Sequence, residues 1–246
     1  MDLIAESELN STQFKKLIAD QSKEFDLILI ECFHPVMYAL AGRFKAPVIG
    51  VSSLGVLTAG YDVIGNPVHP VLFPDVILGM NTGQLTIWQK IKSVLFNIWS
   101  RYYHHNVLVP RSDKLARKYF GNDIPYVGDL ERNMSMLFLN VNPLIYPPRA
   151  NVPMIVEMGQ MHIKPVKPLP IVAHPNIKAF VTQGGLQSTE EAISRGVPLV
   201  GMPFMGDQPM NVQKLVEIGI AVGVDPVSVT KDELKKAIIE VAENCK

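Results

Sequence analysis

Short apolar runs alternate with stretches of helical period along most of the chain. Residues 7–22 carry Leu9, Phe14, Leu17 and Ile18 at helical spacing and predict a helix. Phe25 to Glu31 is a brief apolar run ending in an acid, the pattern of a buried parallel strand. Pro35 suits the first turn of a helix that continues through Met37, Leu40 and Ala41 to about Lys45. Pro47 to Val51 predicts a second buried strand. Strand, helix and strand in so short a span is the signature of a parallel α/β fold.

Residues 60–83 hold repeated Gly and Pro and predict a long loop. A helix is expected over 84–105, with Leu85, Trp88, Leu95 and Trp99 near one face that core packing should bury. The flanking Lys and Arg leave a membrane-surface helix as the alternative. A further helix, 111–119, stops at Gly121, and Ser135 to Asn140 predicts another strand.

Between Lys164 and Asn176 four prolines exclude regular structure and predict an interdomain linker. Beyond it, strands are expected at 179–182 and 198–202, and helices at 188–195 and 209–218. In the last helix Thr230 and Glu233 form a capping box ahead of an apolar stripe at Leu234, Ala237, Ile238 and Val241.

Composition narrows the function classes. The 246 residues are 48% hydrophobic, with 23 basic and 23 acidic side chains, so no basic excess marks a nucleic-acid binder. Two cysteines, Cys32 and Cys245, exclude a disulfide framework and a Cys-rich zinc site. No histidine set has zinc-ligand spacing: His69, His162 and His174 are isolated among prolines and loops, and His104–His105 reads as packing. No signal peptide or spanning run is visible, which predicts a soluble or at most peripheral chain.

Residues 179–211, AFVTQGGLQSTEEAISRGVPLVGMPFMGDQPMN, carry most of the chemistry. A strand delivers the chain to Gly184–Gly185, where backbone N–H groups can approach a ligand closely. The following helix, starting near Ser188, aims its positive end at the same place, which makes a phosphate site. Ser188 and Glu191 also fit a capping box, a purely structural role. Asp207 and Gln208 precede a helix opened by Pro209 and suit the hydroxyls of a sugar, unless Asp207 only complements the helix dipole. Both places lie at strand C-termini, where parallel sheets bind ligands.

This segment resembles the signature of the UDP-glycosyltransferase family, the UDP-glucuronosyl and UDP-glucosyl transferases. The insect-like animal branch also resembles APVIGVSSLG, GNPVHP, KSVLFNIW, ARKYFG, GDLERNMS and MGQMHIKP, so that the likeness covers about residues 25–244. It implies an α/β fold of the GT-B type, incomplete here, with two Rossmann-like lobes. Residues 1–163 would form the acceptor-side lobe, 164–178 the linker and 179–246 the UDP-sugar-binding lobe. No Gly-x-Gly-x-x-Gly follows any predicted strand, which argues against a dinucleotide enzyme.

Carried across residue by residue, the resemblance gives each position a role. Gln183 stands where the family usually has a histidine on the donor diphosphate; Gln donates a hydrogen bond but carries no charge. Gly184 and Gly185 match the family glycines, and Gln187 and Ser188 fall where the diphosphate is held. Glu191 matches the acid on the ribose hydroxyls, and Asp207 and Gln208 match the pair on the transferred sugar. Glu31 stands where the family has an acid, more often Asp, that orients the catalytic histidine.

The family's histidine maps upstream of Met1, and its Trp-x-Pro-Gln segment is absent, because Pro170 runs straight into Ile171–Val172–Ala173. His34, three residues beyond Glu31, is the local candidate base against a helix-capping role. The implied activity is inverting, metal-independent transfer of a hexosyl or glucuronosyl group from UDP-sugar to a small lipophilic hydroxyl acceptor. UDP-sugar would be a substrate, with no cofactor. The family's setting is detoxification in the endoplasmic reticulum, at the membrane or in the lumen. The competing expectation is a catalytically inactive family fragment that binds or oligomerises with relatives.

Overall fold

The computed structural model describes residues 2–80, 85–142, 146, 148–163, 174 and 176–244. Most of the expected linker 164–178, and Cys245, lie outside these residues. The chain divides into two compact units that interleave in sequence. The first comprises Met1–Val68, Val94–Asn140 and Arg149–Glu157, and the second His69–Ser93, Val141–Pro148 and Met158–Lys246.

In the first unit the expected helix 7–22 is two helices, α1 (Asp2–Asn10) and α2 (Thr12–Ala19). Ser11 divides them because its Oγ accepts the Phe14 N–H, an N-cap that starts a new helix instead of continuing the old one. Strand β1 (Ile28–Glu31) follows, then a 3₁₀ turn at Pro35–Tyr38, α3 (Ala39–Phe44), β2 (Val48–Ser52) and α4 (Thr58–Val63). Helix α4 occupies the start of the stretch expected to be loop. Its side chains Thr58, Ala59, Tyr61 and Val63 are buried, so packing supports a helix that Gly60 alone would weaken.

The expected helices 84–105 and 111–119 are one rod. Helix α5 (Ile87–Tyr103), whose residues up to Ser93 fall in the second unit, passes through a π turn at His104–Leu108 into α6 (Val109–Phe120). The π turn carries two histidine–carboxylate contacts: His104 Nε2 lies 3.1 Å from Glu131 Oε2, and His105 Nε2 lies 3.5 Å from Asp62 Oδ2. Gly121, at φ 86°, ends α6. Helix α7 (Val127–Arg132), β3 (Met136–Leu139) and β4 (Ile155–Glu157) complete the unit.

All four strands are parallel, in the order β1-β2-β3-β4. Leu137 and Leu139 of β3 are fully buried, while Leu9, Val36, Ala116 and Val127 form a helical layer of the core. The core face expected for α5 is reversed. Trp88 is 75% exposed and Leu95 62%, whereas Ser93 and Asn97 are buried. Ser93 turns inward because its Oγ donates to the Pro70 carbonyl at 2.5 Å.

The second unit holds β5 (Phe180–Thr182), α8 (Leu186–Ser194), β6 (Leu199–Gly201), α9 (Gln208–Glu217), β7 (Ala221–Gly223) and α10 (Lys231–Asn244). Its sheet is parallel in the order β5-β6-β7. Successive strand residues point to opposite faces. Leu199 accordingly packs with Ala192 of α8 and Leu215 of α9, and Val200 with Ala237 and Val241 of α10. Helices on both faces of a parallel sheet are the doubly wound arrangement.

The capping box of α10 forms as expected. The Thr230 N–H donates to Glu233 Oε2 at 2.8 Å, and the Glu233 N–H to Thr230 Oγ1 at 3.3 Å. Among the described residues no helix is long and apolar enough to cross a membrane.

Candidate active site

The site is built at the C-terminal ends of β5 and β6. Thr182, the last residue of β5, turns its Oγ1 to accept the Gly184 N–H at 3.2 Å and lies 3.4 Å from Ser188 Oγ. Gly184 has φ 82°, a conformation that disfavours any side chain. A Cβ there would also come within 2.4 Å of Val212 Cγ2. The glycine therefore lets α9 close on the turn, a reason that stands apart from any ligand. Gly185 differs: a Cβ would meet only side-chain atoms, the nearest 3.6 Å away.

Helix α8 begins at Leu186, two residues earlier than its expected start near Ser188. Ser188 is therefore inside the first turn, where its Oγ donates to the Gly185 carbonyl at 3.1 Å. The capping box expected of Ser188 and Glu191 does not form, since the N-cap is Gly185 and no side chain caps the helix. The first amides of α8 thus have no side-chain acceptor, and the helix dipole makes their end attractive to an anion.

Asn211 joins the two halves of the site and was not singled out from the sequence. This residue of α9 is fully buried. Its Nδ2 donates to the Gly184 carbonyl at 2.9 Å and to Asp207 Oδ2 at 2.8 Å. The carboxylate of Asp207 is thereby turned toward the glycine turn instead of toward its own helix amides. Gln208 Oε1 accepts the N–H groups of Phe204 at 2.9 Å and Met205 at 3.1 Å, fixing the loop that leads into α9. A DQxxN pattern at a helix start is the signal that could have found Asn211, because positions i and i+4 meet on one helix face.

The structure thus gathers Gly184, Gly185, Ser188, Asp207 and Gln208 at one place. Gln183 and Gln187 are exposed beside them. Glu191 is exposed and sits three positions along α8 from Ser188, one turn further. His162, expected to be isolated, packs onto this helix instead: its Nε2 lies 3.1 Å from the Gln187 carbonyl and its Nδ1 3.6 Å from Glu190 Oε2. Glu190 is fully buried, and the partly exposed imidazole packs against it on α8.

Glu31 belongs to the other compact unit, at the end of β1. Its Oε1 accepts the Ser53 N–H at 3.3 Å, and partial burial raises its pKa above the usual carboxylate range. The neighbouring Cys32 thiol is pushed up to about 12, mainly by burial, and stays protonated at neutral pH. His34 is buried, and its Nδ1 accepts the Val36 N–H at 3.3 Å as the N-cap of the 3₁₀ turn. That is the capping role, not the posture of an exposed base.

Two parallel sheets, with a glycine turn and an acid–amide pair at the strand ends, define the GT-B class of α/β protein. Solved structures agree on the fold. Spinosyn forosaminyltransferase SpnP matches with TM-score 0.60 at 10% identity, over 99% of this chain and 74% of that one. LpCGTa, solved in complex with UDP, matches with TM-score 0.52 at 10% identity, over 98% and 72%.

The chain belongs to the UDP-glucoronosyl and UDP-glucosyl transferase family, whose model matches residues 8–173 and 170–246. Among curated relatives it is 26% identical to the ecdysteroid UDP-glucosyltransferase of Spodoptera littoralis nuclear polyhedrosis virus, over 94% of this chain and 60% of the relative. It is 24% identical to UDP-glucosyltransferase 2 of Dactylopius coccus, over 91% and 58%. The chain therefore spans about three fifths of the length of these relatives. The viral alignment runs over 315 residues, more than the chain contains, so the relative carries residues inside the matched range that this chain lacks.

Proposed function

We propose that residues 179–246 bind the UDP-sugar donor, and that the protein transfers a hexosyl or glucuronosyl group to the hydroxyl of a small lipophilic acceptor. The observation that carries this reading is the Asn211 bridge, which sets the Asp207 carboxylate beside the glycine turn at the uncapped start of α8. In this reading the amides of Gly185, Leu186 and Gln187 and the Ser188 hydroxyl hold the diphosphate. Glu191 takes the ribose hydroxyls, and Asp207 with the Gln208 amide takes the sugar. The transfer is inverting and needs no metal or cofactor, because the helix terminus carries the donor's negative charge. Residues 1–163 serve the acceptor and 179–246 the donor, with 164–178 between them. Glu31 orients the base. The endoplasmic reticulum is the compartment this reading carries over from the family.

Gln183 offers the direct test. Gln183→His adds a group able to carry charge beside the glycine turn, so UDP should bind more tightly by calorimetry, and more so below the histidine pKa. Unchanged affinity at every pH would remove the diphosphate from this place.

A specific observation favours a second reading, that of a family fragment that binds without turning over. The two family matches meet at residues 170–173, and the viral relative carries residues inside its matched range that this chain lacks. A donor-binding unit with a sheet of three strands could retain part of the site and act as a binding or oligomerising module.

A further inference from the structure

His162 reaches α8 from the turn at residues 159–162, within the same compact unit, and both its ring nitrogens meet oxygen. Nε2 lies 3.1 Å from the Gln187 carbonyl. Nδ1 lies 3.6 Å from Glu190 Oε2, and has no hydrogen-bond partner among the described residues. A carbonyl only accepts, and so does an ionised carboxylate. A neutral imidazole has one N–H and one lone pair, so it turns that lone pair on one of the two oxygens. Both contacts are attractive only when both nitrogens carry hydrogen, which is the imidazolium. Fully buried Glu190 is the counter-charge that a partly buried imidazolium needs. The next carboxylate of α8, Glu191, is exposed and turned about 100° further round the helix. Arg195 lies at the far end of α8, and Asp207 is held at the glycine turn by Asn211.

The oxygen that Nε2 meets belongs to the phosphate-binding turn itself. The Gln187 carbonyl and the Ser188 N–H are the two ends of one planar peptide group. Thr189 makes the first hydrogen bond of α8, to the Gly185 carbonyl at 3.1 Å, so the Ser188 N–H stands ahead of it at the open end of the helix. A donor on the Gln187 oxygen polarises that N–H toward an anion. The charge of a protonated ring acts in the same direction, across a single peptide group. Gln183, beside the glycine turn, cannot carry charge there.

We propose that His162 is a positioning residue of the donor site: it fixes the first turn of α8 and lends it positive charge from behind, with Glu190 as the counter-ion. The proposal rests on the reading of residues 179–246 as the donor-binding part of the chain. The useful form of the ring is the protonated one, and the donor is an anion. Donor affinity is therefore highest at low pH and falls as pH rises and the ring loses its proton.

UDP-glucose is the probe, because its bridged phosphates have no group that titrates near neutrality. Calorimetry with the full chain should show tighter binding at about pH 6 than at about pH 8.5. It should also show proton uptake on binding, read from buffers of different ionisation heat. His162→Gln keeps an N–H for the Gln187 carbonyl but carries no charge. It should bind about three- to tenfold more weakly than the parent at the lower pH and equally at the higher, without the proton uptake. Glu190→Gln should move the loss of affinity to lower pH, because the imidazolium has lost its counter-ion. A merely structural brace would weaken binding by the same factor at both pH values, and that result overturns the proposal. So does a parent whose affinity is flat with pH and which takes up no proton, a measurement that needs no variant to fold. Gly185→Ala separates the two readings. If it weakens UDP-glucose binding while His162→Gln matches the parent at every pH, the donor site stands and the role of His162 fails. If the parent does not bind UDP-glucose, the donor reading falls and this inference falls with it.

Discussion

Asn211 is where stability and the proposed donor site meet, and replacing it separates two kinds of cost. Alanine removes the Nδ2 donor, leaving the buried Gly184 carbonyl without this partner, which costs about 1–3 kcal/mol. The bond to Asp207 is lost as well, but that carboxylate is partly exposed and water can answer it, so its loss adds about 1 kcal/mol. Against this, Asn211 Oδ1 is buried without a hydrogen-bond partner among the described residues, and deleting it returns about 1–3 kcal/mol. The net for Asn211→Ala is therefore modest, about 1–2 kcal/mol. Asn211→Asp keeps the shape but turns a donor into an acceptor facing the Gly184 carbonyl and the Asp207 carboxylate. A buried charge without a partner costs about 3–5 kcal/mol, less if the new group protonates. The aspartate variant should thus be the less stable of the two at neutral pH and should recover ground as pH falls. Urea denaturation of both variants at pH 5 and pH 7 measures this, with UDP calorimetry alongside. If Asn211→Asp equals the parent in stability and in UDP affinity, the bridge does not hold the site together.

Other substitutions probe neighbouring features. Gly184→Ala meets both a positive φ and the Val212 methyl, and should lose about 2–5 kcal/mol, read as a lower urea midpoint. Gly185→Ala meets nothing closer than 3.6 Å and should fold like the parent while losing UDP affinity; equal affinity would deny the turn a role in binding. The raised pKa of Glu31 means the fold holds that proton more tightly than the unfolded chain does. Its contribution is therefore fully present below the ordinary carboxylate range and is lost as pH rises through the folded value. Glu31→Gln should be slightly more stable than the parent near pH 7 and indistinguishable from it at low pH, by denaturation at a series of pH values. The 246-residue chain alone should transfer sugar about 10²–10⁴-fold more slowly than a full-length relative, since His34 is spent as a cap, and labelled UDP-glucose and UDP-glucuronate with phenol and steroid acceptors measure that.

Much of this architecture could be read from residues alone, and the exceptions share a cause. The strands at 28–31, 48–52, 136–139, 180–182 and 199–201 announce themselves as apolar runs, although 28–31, expected to be buried, leaves Leu29 61% exposed and 180–182 leaves Val181 43% exposed, so each of these two has one open face. Ile155–Glu157 and Ala221–Gly223 were not read from the sequence; each pairs in parallel with a strand that was, β3 and β6. The helix starting at Leu186 was displaced by two residues, since Ser188 looks like a cap while Gly185 occupies that position. Periodicity finds the apolar face of α5 but not its direction; the inward turn of Ser93 toward Pro70 comes from tertiary structure. The glycine turn and the Asp207–Gln208 pair were legible as a site because their residue types are specific. Asn211 was not, since a buried amide is defined by what surrounds it.

The π turn between α5 and α6 acts as a phase shifter. A helix that must show its oily side to the outside and then, without a break, turn one to the inside needs its periodicity reset partway along. A turn of i→i+5 bonding absorbs roughly one extra residue, and so offsets the downstream face by about 100° from where an unbroken α-helix would put it. Val109 and Ala116 accordingly point into the core although the rod is continuous with the exposed Leu95 and Ile98. Length within 104–108 is therefore constrained more tightly than identity: a substitution there changes one side chain, whereas a one-residue gain or loss re-aims a whole helix. The contacts from His104 to Glu131 and from His105 to Asp62 lie where such an offset would otherwise relax.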